Sequence, residues 1–350
     1  VPESIEIAGH RLGVGERCFI IAEAGVNHNG SVDLAIELAE AAARAGADAV
    51  KFQTFIAESM ITADAPKAEY QKDTTSPDES QLEMVKRLEL SFAEFAKIKA
   101  HCDGIGIVFL STPFDFQSVD LLSRLEAPAF KISSGDVTNH PLLEYVARAN
   151  KPVILSTGMS NLSEVEEAVG VIRNTGNEQL VLLHCTTNYP ADPGDINLRA
   201  MQTMAEAFRV PVGYSDHTTG IDISIAAVAL GACVIEKHFT LDRNLPGPDH
   251  RASLEPDELR DLIQAIRRVG DALGDGKKVP ADSELDTARV ARRSLVAAEN
   301  IYAGTRILRE MIAAKRPGTG LSPTKLSLIV GRTALVDIAA GSMLTTEMFD

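Results

Sequence analysis

The chain has 350 residues, 45% hydrophobic and 24% charged, a balance that supports a sizeable core and excludes disordered, collagen-like and small disulfide-stapled proteins. Its 34 Lys and Arg against 49 Asp and Glu leave a net charge of -15, which repels a nucleic-acid backbone, and no Lys/Arg run gathers the basic residues on one face. The longest apolar stretches, such as Ile225 to Leu230, fall far short of the roughly 20 residues a bilayer requires, and no signal peptide opens the chain, so a soluble, cytoplasmic protein binding neither nucleic acid nor membrane is expected.

In chain order, Ile5 to Val14 alternates and turns at Gly9, the pattern of a short hairpin that closes the N-terminal mouth of a barrel. Eight short apolar runs then recur between amphipathic stretches: Cys18–Glu23, Ala49–Gln53, Ile107–Thr112, Ala129–Ser133, Val153–Thr157, Leu180–Cys185, Val212–Ser215 and Val234–His238. Apolar on both faces, they suit buried parallel strands. Leu34, Leu38, Ala41 and Ala45 return every three or four positions behind a capping Ser31, and Pro256 opens a helix carrying Leu259, Leu262, Ile263, Ile266 and Val269. Strand-then-helix units in series predict a closed (β/α)8 TIM barrel over about residues 15–273; the fallback, an open doubly wound sheet, lacks a Gly-x-Gly-x-x-Gly after its first strand. A long polar insertion from Thr54 to Ser80, containing Lys67, Tyr70 and Gln71, interrupts the series, and loops of that length are functional or disordered.

The expected domains are a barrel with its hairpin over 1–274, a polar linker over 275–288 and a small domain over 289–350. The small domain echoes itself: Asn300-Ile301-Tyr302-Ala303-Gly304-Thr305 returns as Asp337-Ile338-Ala339-Ala340-Gly341-Ser342, which predicts two copies paired about a pseudo-twofold axis. Cys18, Cys102, Cys185 and Cys233 lie tens of residues apart without a C-x-x-C pair and read as small core residues.

In a TIM barrel the C-terminal strand ends face the active site, and here they are polar. They carry Glu23 and Asn27-His28-Asn29, Lys51 and Gln53, Ser111-Thr112, Lys131 with Ser134 and Asp136, Ser156-Thr157-Gly158, His184 with Thr186-Thr187-Asn188-Tyr189, Ser215-Asp216-His217 and Glu236-Lys237-His238. Lys51 and Lys131 fit anion clamps, Schiff-base nucleophiles or partners of barrel carboxylates. Thr112, Ser134 and Ser156 fit phosphate ligands or helix caps, and Glu23 a general base or a salt-bridge partner. His217 and His238 end neighbouring strands, compatible with one divalent metal or with hydrogen-bonded structural histidines. The set suits addition chemistry on a small phosphorylated anion.

Ile20-Ile21-Ala22-Glu23-Ala24-Gly25-Val26-Asn27-His28-Asn29-Gly30, Val50-Lys51-Phe52-Gln53-Thr54-Phe55, Phe130-Lys131-Ile132-Ser133-Ser134-Gly135, Leu155-Ser156-Thr157-Gly158-Met159, Gly213-Tyr214-Ser215-Asp216-His217-Thr218 and Gly247-Pro248-Asp249-His250 closely resemble the sialic acid synthase family. Lys315-Arg316-Pro317-Gly318-Thr319-Gly320 is similar to that family's C-terminal antifreeze-like domain, a SAF or β-clip fold. The resemblance implies condensation of phosphoenolpyruvate with the aldehyde of an N-acetylated mannosamine-type sugar, giving a nine-carbon 2-keto acid and phosphate. The alternative it leaves open is a legionaminate synthase using 2,4-diacetamido-2,4,6-trideoxymannose. Lys51, Thr112, Lys131, Ser134, Ser156 and Thr187 would hold phosphoenolpyruvate, and His217 and His238 a divalent Mn2+ or Mg2+. Glu23 would handle the attacking water, while Gln53, Asp136, Tyr189, Asp249 and Arg316 would contact the sugar. Asp136 and Thr187-Asn188 depart from the family pattern near the ligands, which leaves the sugar open. A domain-exchanged homodimer, with Arg316 serving the partner's site, is also implied. The rivals are a Schiff-base class I aldolase and a carbohydrate-binding protein, against which the polar strand ends speak.

Overall fold

A computed structural model describes residues 4–67 and 79–350, so Tyr70 and Gln71 of the insertion lie outside the described residues. The chain divides into two compact units, Val1–Asp275 and Gly276–Asp350. The first opens with a hairpin of β1 (Ile5–Ile7) and β2 (His10–Leu12). Its two turn residues, Ala8 and Gly9, have φ of 49° and 83°, the left-handed pair that matches strand twist in a tight hairpin.

Eight parallel strands follow: β3 (Phe19–Gly25), β4 (Ala49–Thr54), β5 (Val108–Pro113), β6 (Phe130–Ile132), β7 (Val153–Ser156), β8 (Leu180–Cys185), β9 (Val212–Asp216) and β10 (Val234–His238). They hydrogen-bond in the order β5-β4-β3-β10-β9-β8-β7-β6, and β5 and β6 at the two ends also lie side by side, so the sheet closes into a TIM barrel. Helices wrap its outside. Val32–Ala45 starts where the Ser31 hydroxyl accepts from the Leu34 amide at 3.3 Å and stops at Gly46, whose φ of 92° no β-carbon favours. Pro256–Leu273 begins at its proline and buries Leu259, Leu262, Ile263 and Ile266. Among the described residues no helix is long and apolar enough to cross a membrane.

Strand alternation sorts the side chains into two cores. Ile20, Ala22, Val50 and Phe52 point outward and pack under helices with Leu38, Leu262 and Ile266. Phe19, Ile21, Ala49, Leu110, Ala129, Ile154, Val181, Leu183 and Val234 point into the lumen, where Ile7 and Leu12 of the hairpin join them and plug the N-terminal end. Continuing six of the inward rows toward the strand's C-terminus turns them polar: Ile21 is followed by Glu23, Ala49 by Lys51, Leu110 by Thr112, Ala129 by Lys131, Ile154 by Ser156 and Val234 by Glu236. One alternation builds a dry floor and a reactive mouth.

The second unit is built on β11 (Ser294–Ala297) and β12 (Ile312–Lys315), an antiparallel pair. A helix, Leu285–Ala291, lies partly within the segment read as linker. The sequence echo is visible as pairing: Ile301 and Ile338, equivalent in the two copies, exchange backbone hydrogen bonds at 2.9 and 2.7 Å. Asn300 accepts from the Ala340 amide at 2.8 Å and Asp337 from the Ala303 amide at 2.7 Å, the same contact made twice. Ile301, Ile307, Ile312, Ile338 and Leu344 fill this unit's small core.

Candidate active site

The polar ends of the inward rows line one cavity of about 780 Å³ at the C-terminal mouth of the barrel. Glu23, Lys51, Gln53, Thr112, Lys131, Ser134, Asp136 and Ser156 line it from the first five strands and their loops. Thr187, Tyr189, His217, His238 and Asp249 complete it from the other side. Arg316 belongs to the second unit, exposed, with its Nε donating to the Ala291 carbonyl at 3.0 Å.

At the bottom of the cavity lie two lysines and two carboxylates. Lys51 Nζ sits 2.6 Å from Glu23 Oε2, donates to Thr112 Oγ1 at 3.2 Å and lies 3.8 Å from Glu236 Oε2. Lys131 Nζ lies 3.4 Å from Glu236 Oε1, which also accepts from Ser215 Oγ at 3.1 Å. Gln53 Nε2 donates to Glu23 Oε1 at 3.3 Å. All four charged groups are buried. Burial pushes Glu23 up to about 7, reinforced by Glu236, against the pull of Lys51. Burial opposes ionisation of Glu236 as well, but Lys131, Lys51 and Ser215 outweigh it and hold that carboxyl below its ordinary value. Two like groups driven apart in this way take different tasks, one carrying a proton and one a standing charge. Burial lowers Lys131, whereas Glu23 and Glu236 overcome it and raise Lys51.

Beside the lysines, Ser134, Ser156, Gly158 and Thr187 converge. The Gly158 amide donates to Ser134 Oγ at 2.9 Å, and a β-carbon on Gly158 would strike Thr187 Oγ1 and Ser134 Oγ, so only glycine lets this loop pack. Ser156 Oγ is buried without a hydrogen-bond partner. Asp136 is held by its own turn, accepting from Ser133 Oγ at 2.8 Å and Asn139 Nδ2 at 3.0 Å.

Across the cavity the His217 and His238 rings lie 5.4 Å apart, with Tyr189 4.2 Å from the first and 5.5 Å from the second. His217 Nδ1 faces the Thr186 carbonyl at 2.8 Å. A carbonyl only accepts, so Nδ1 holds a proton, and in the neutral ring Nε2 keeps the lone pair. Against burial, Cys185 and the Thr186 carbonyl raise His217 above its ordinary value. His238 Nδ1 is buried without a hydrogen-bond partner, 3.9 Å from Asp249 Oδ2. Burial, with His217 and the lysines adding to it, holds His238 well below its ordinary value and so neutral. Burial raises Asp249 to about 6. Two imidazoles with room between them fit a divalent cation when both rings are neutral, and no cluster of three or more His, Cys, Asp or Glu is arranged for one among the described residues. The protein would supply two ligands and leave the remaining positions to substrate and water.

Several polar strand ends turn away. Asn27 donates to the Phe239 carbonyl at 2.8 Å, His28 accepts from the Gly30 amide at 3.1 Å, and Thr157 donates to the Leu183 carbonyl at 3.0 Å. Asp216 and Lys237 pair behind the sheet. Glu236 is among the polar strand ends read from the sequence but receives no role there, although it lies two positions before His238 and therefore on the same face. Also missed was an apolar wall of Val26, Phe55, Met60, Ile61, Met84, Val85, Leu88 and Phe114 on one side of the cavity.

The NeuB family pattern matches residues 38–278 and the SAF domain residues 292–350. The chain belongs to the NeuB family. It is 51% identical over 321 residues to the N,N'-diacetyllegionaminic acid synthase of Campylobacter jejuni, covering 91% of this chain and 96% of that one. It is 48% identical over 334 residues to the protein of the same name from Legionella pneumophila, covering 94% of each. The crystal structure of an N-acetylneuraminic acid synthetase from Leptospira borgpetersenii, in complex with citrate, superposes with a TM-score of 0.73 at 37% identity, covering 82% of this chain and 95% of that one.

Proposed function

We propose that this NeuB-family protein is a phosphoenolpyruvate-dependent, carbon-carbon bond-forming synthase of the sialic acid synthase type, acting on the open-chain aldehyde of an N-acetylated mannosamine-type sugar and releasing phosphate. The observation that carries the reading is the cavity itself, where two buried lysines and several hydroxyls meet two imidazoles. Within that class we favour 2,4-diacetamido-2,4,6-trideoxymannose over N-acetylmannosamine. Identity is 48% and 51% to the two legionaminic acid synthases against 37% to the sialic acid synthetase, and an apolar wall suits a methyl group and an added acetamide better than a hydroxymethyl.

In this reading Lys51 and Lys131 neutralise the phosphoenolpyruvate anion, and Thr112, Ser134, Ser156 and Thr187 donate to its oxygens. Gln53, Asp136, Tyr189 and Asp249 orient the sugar so that its aldehyde carbon meets the third carbon of phosphoenolpyruvate. Glu23 takes the proton of the water that adds at the second carbon, after which the carbon-oxygen bond to phosphate breaks. His217 and His238 would hold a divalent cation, Mn2+ or Mg2+, which would supply Lewis-acid chemistry to the sugar aldehyde. The reading extends to a cytoplasmic homodimer in which Arg316 of one copy serves the sugar site of the other. Mixing Glu23→Ala and Arg316→Ala chains under subunit exchange tests that part: recovered activity supports it, and an inactive mixture with demonstrated exchange ends it.

The main test incubates the protein with phosphoenolpyruvate, Mn2+ and each amino sugar while following phosphate. Release that needs both the sugar and the metal is expected. A chelator-insensitive reaction, with substrate trapped on Lys51 or Lys131 by borohydride, would replace this reading by a Schiff-base aldolase.

A further inference from the structure

In β9 and β10, Glu236 stands beside Ser215 and Lys237 beside Asp216. Ser215, His217, Glu236 and His238 face the cavity, and alternation sends Asp216 and Lys237 behind the sheet, where they are 1% and 2% exposed. There Lys237 Nζ donates to Asp216 Oδ2 at 2.8 Å and to the Thr218 carbonyl at 2.8 Å. Asp216 Oδ1 accepts from the Thr218 amide at 2.9 Å, from the Thr218 hydroxyl at 2.8 Å and from Tyr214 at 3.2 Å, while Oδ2 also accepts from Ser224 at 2.6 Å. Both neighbours of His217 in the chain are thus tied to the residue directly before His238. None of this touches the cavity.

We propose that Asp216 and Lys237 are positioning residues for the two imidazoles, setting the spacing of His217 and His238 and through it the affinity of the site for a divalent cation. The inference rests on the metal reading given above. A buried ion pair is a weak source of stability, since apolar residues of similar volume do as well or better, but its directed bonds fix a register that apolar packing leaves loose. A cation held by side chains of two separate strands depends on that register, because ligand distances tolerate only about 0.2 Å. The closed ring from Asp216 through Thr218 to Lys237 removes the backbone slack at His217 that would spoil such a fit.

The test is the double variant Asp216→Asn with Lys237→Met, which removes both charges and leaves neither buried alone. Calorimetric titration with Mn2+ and the electron paramagnetic resonance signal of the bound ion are compared with the parent, alongside thermal melting and phosphoenolpyruvate binding without metal. Mn2+ affinity is expected to fall about 10- to 100-fold, as for other partners that orient metal ligands, with melting and phosphoenolpyruvate affinity near the parent's. A folded double variant that binds Mn2+ within about twofold of the parent would overturn the proposal and leave the metal reading intact. Should the double variant not fold, Thr218→Val removes one of the bonds at constant shape. A loss of about threefold or more in Mn2+ affinity at unchanged melting supports the proposal, and no change overturns it. A parent protein that binds no Mn2+ overturns the metal reading and this inference together.

Discussion

The barrel buries two lysine–carboxylate clusters, an outer pair and an inner quartet, to the same depth and treats them differently. Behind the sheet, Asp216 accepts five hydrogen bonds and Lys237 reaches a backbone carbonyl besides, so the network is complete. Inside the lumen, Lys51 and Glu23 share space with Lys131 and Glu236, and Glu236 Oε2, Ser156 Oγ and His238 Nδ1 lack hydrogen-bond partners. Burying polar groups without partners is costly, and a complete network rigidifies whereas an incomplete one recovers its cost when a ligand supplies what is missing. The outer pair is therefore framework, and the inner quartet is left with groups that a bound ligand can satisfy.

The sharpest way to break this contrast is to remove the inner proton carrier. Glu23→Gln keeps the shape and the hydrogen bond from Gln53, and kcat is expected to fall about 10²- to 10⁴-fold with phosphoenolpyruvate still bound. A variant within about tenfold of the parent would move the base elsewhere. Next in size, Lys131→Met removes one of the two cations, and a charge-assisted contact of about 1.5–3 kcal/mol predicts a rise in KM for phosphoenolpyruvate of roughly 10- to 100-fold, read by initial rates at saturating sugar.

Acidity acts on the inner cluster. With Glu23 pushed up to about 7, the ionised base is lost below that point, so kcat/KM should fall about tenfold per pH unit on the acid side and level above it. Stability runs the other way. The folded protein keeps this proton up to about 7, whereas the unfolded chain releases it near the ordinary 4.5, so the contribution is full below that value and is lost as pH rises through the window. Melting temperature should decline over that range and decline less in Glu23→Gln, the remainder belonging to Asp249, raised to about 6. A pH-independent rate between 5 and 8 would show Glu23 ionised throughout.

The inward rows were legible because strand alternation is local: a polar residue two positions beyond a lumen apolar one faces the mouth, and Glu23, Lys51, Thr112, Lys131 and Ser156 all obey this. Glu236 obeys it too and was available from His238. Polarity alone misled at Asp216, Lys237 and His28, where the outward direction and a buried network, neither written in residue type, make the difference. The pairing of the small domain's two copies was legible from its echo. The apolar wall was not: Val26, Met60, Met84 and Phe114 come from four separate segments, one inside the polar insertion and one just after it, and only the closed barrel brings them together.

That wall gives the smallest and most discriminating prediction. Met60 is half-buried in the short helix Ala57–Met60 and lines the cavity with the apolar cluster of Val26, Phe55 and Met84. Met60→Gln keeps length and volume, so folding should change little and phosphoenolpyruvate, held by the opposite wall, should bind as before. What changes is the surface offered to the far end of the sugar. If a 6-deoxy, 4-acetamido sugar is preferred because its methyl groups are buried there, replacing the thioether with an amide should lower the kcat/KM ratio of that sugar over N-acetylmannosamine by about three- to tenfold, the scale of one methylene in an apolar pocket. An unchanged ratio would mean that the sugars are told apart by polar contacts such as those of Asp136 and Asn188, which also line the cavity, and that the apolar wall serves only to support the mouth.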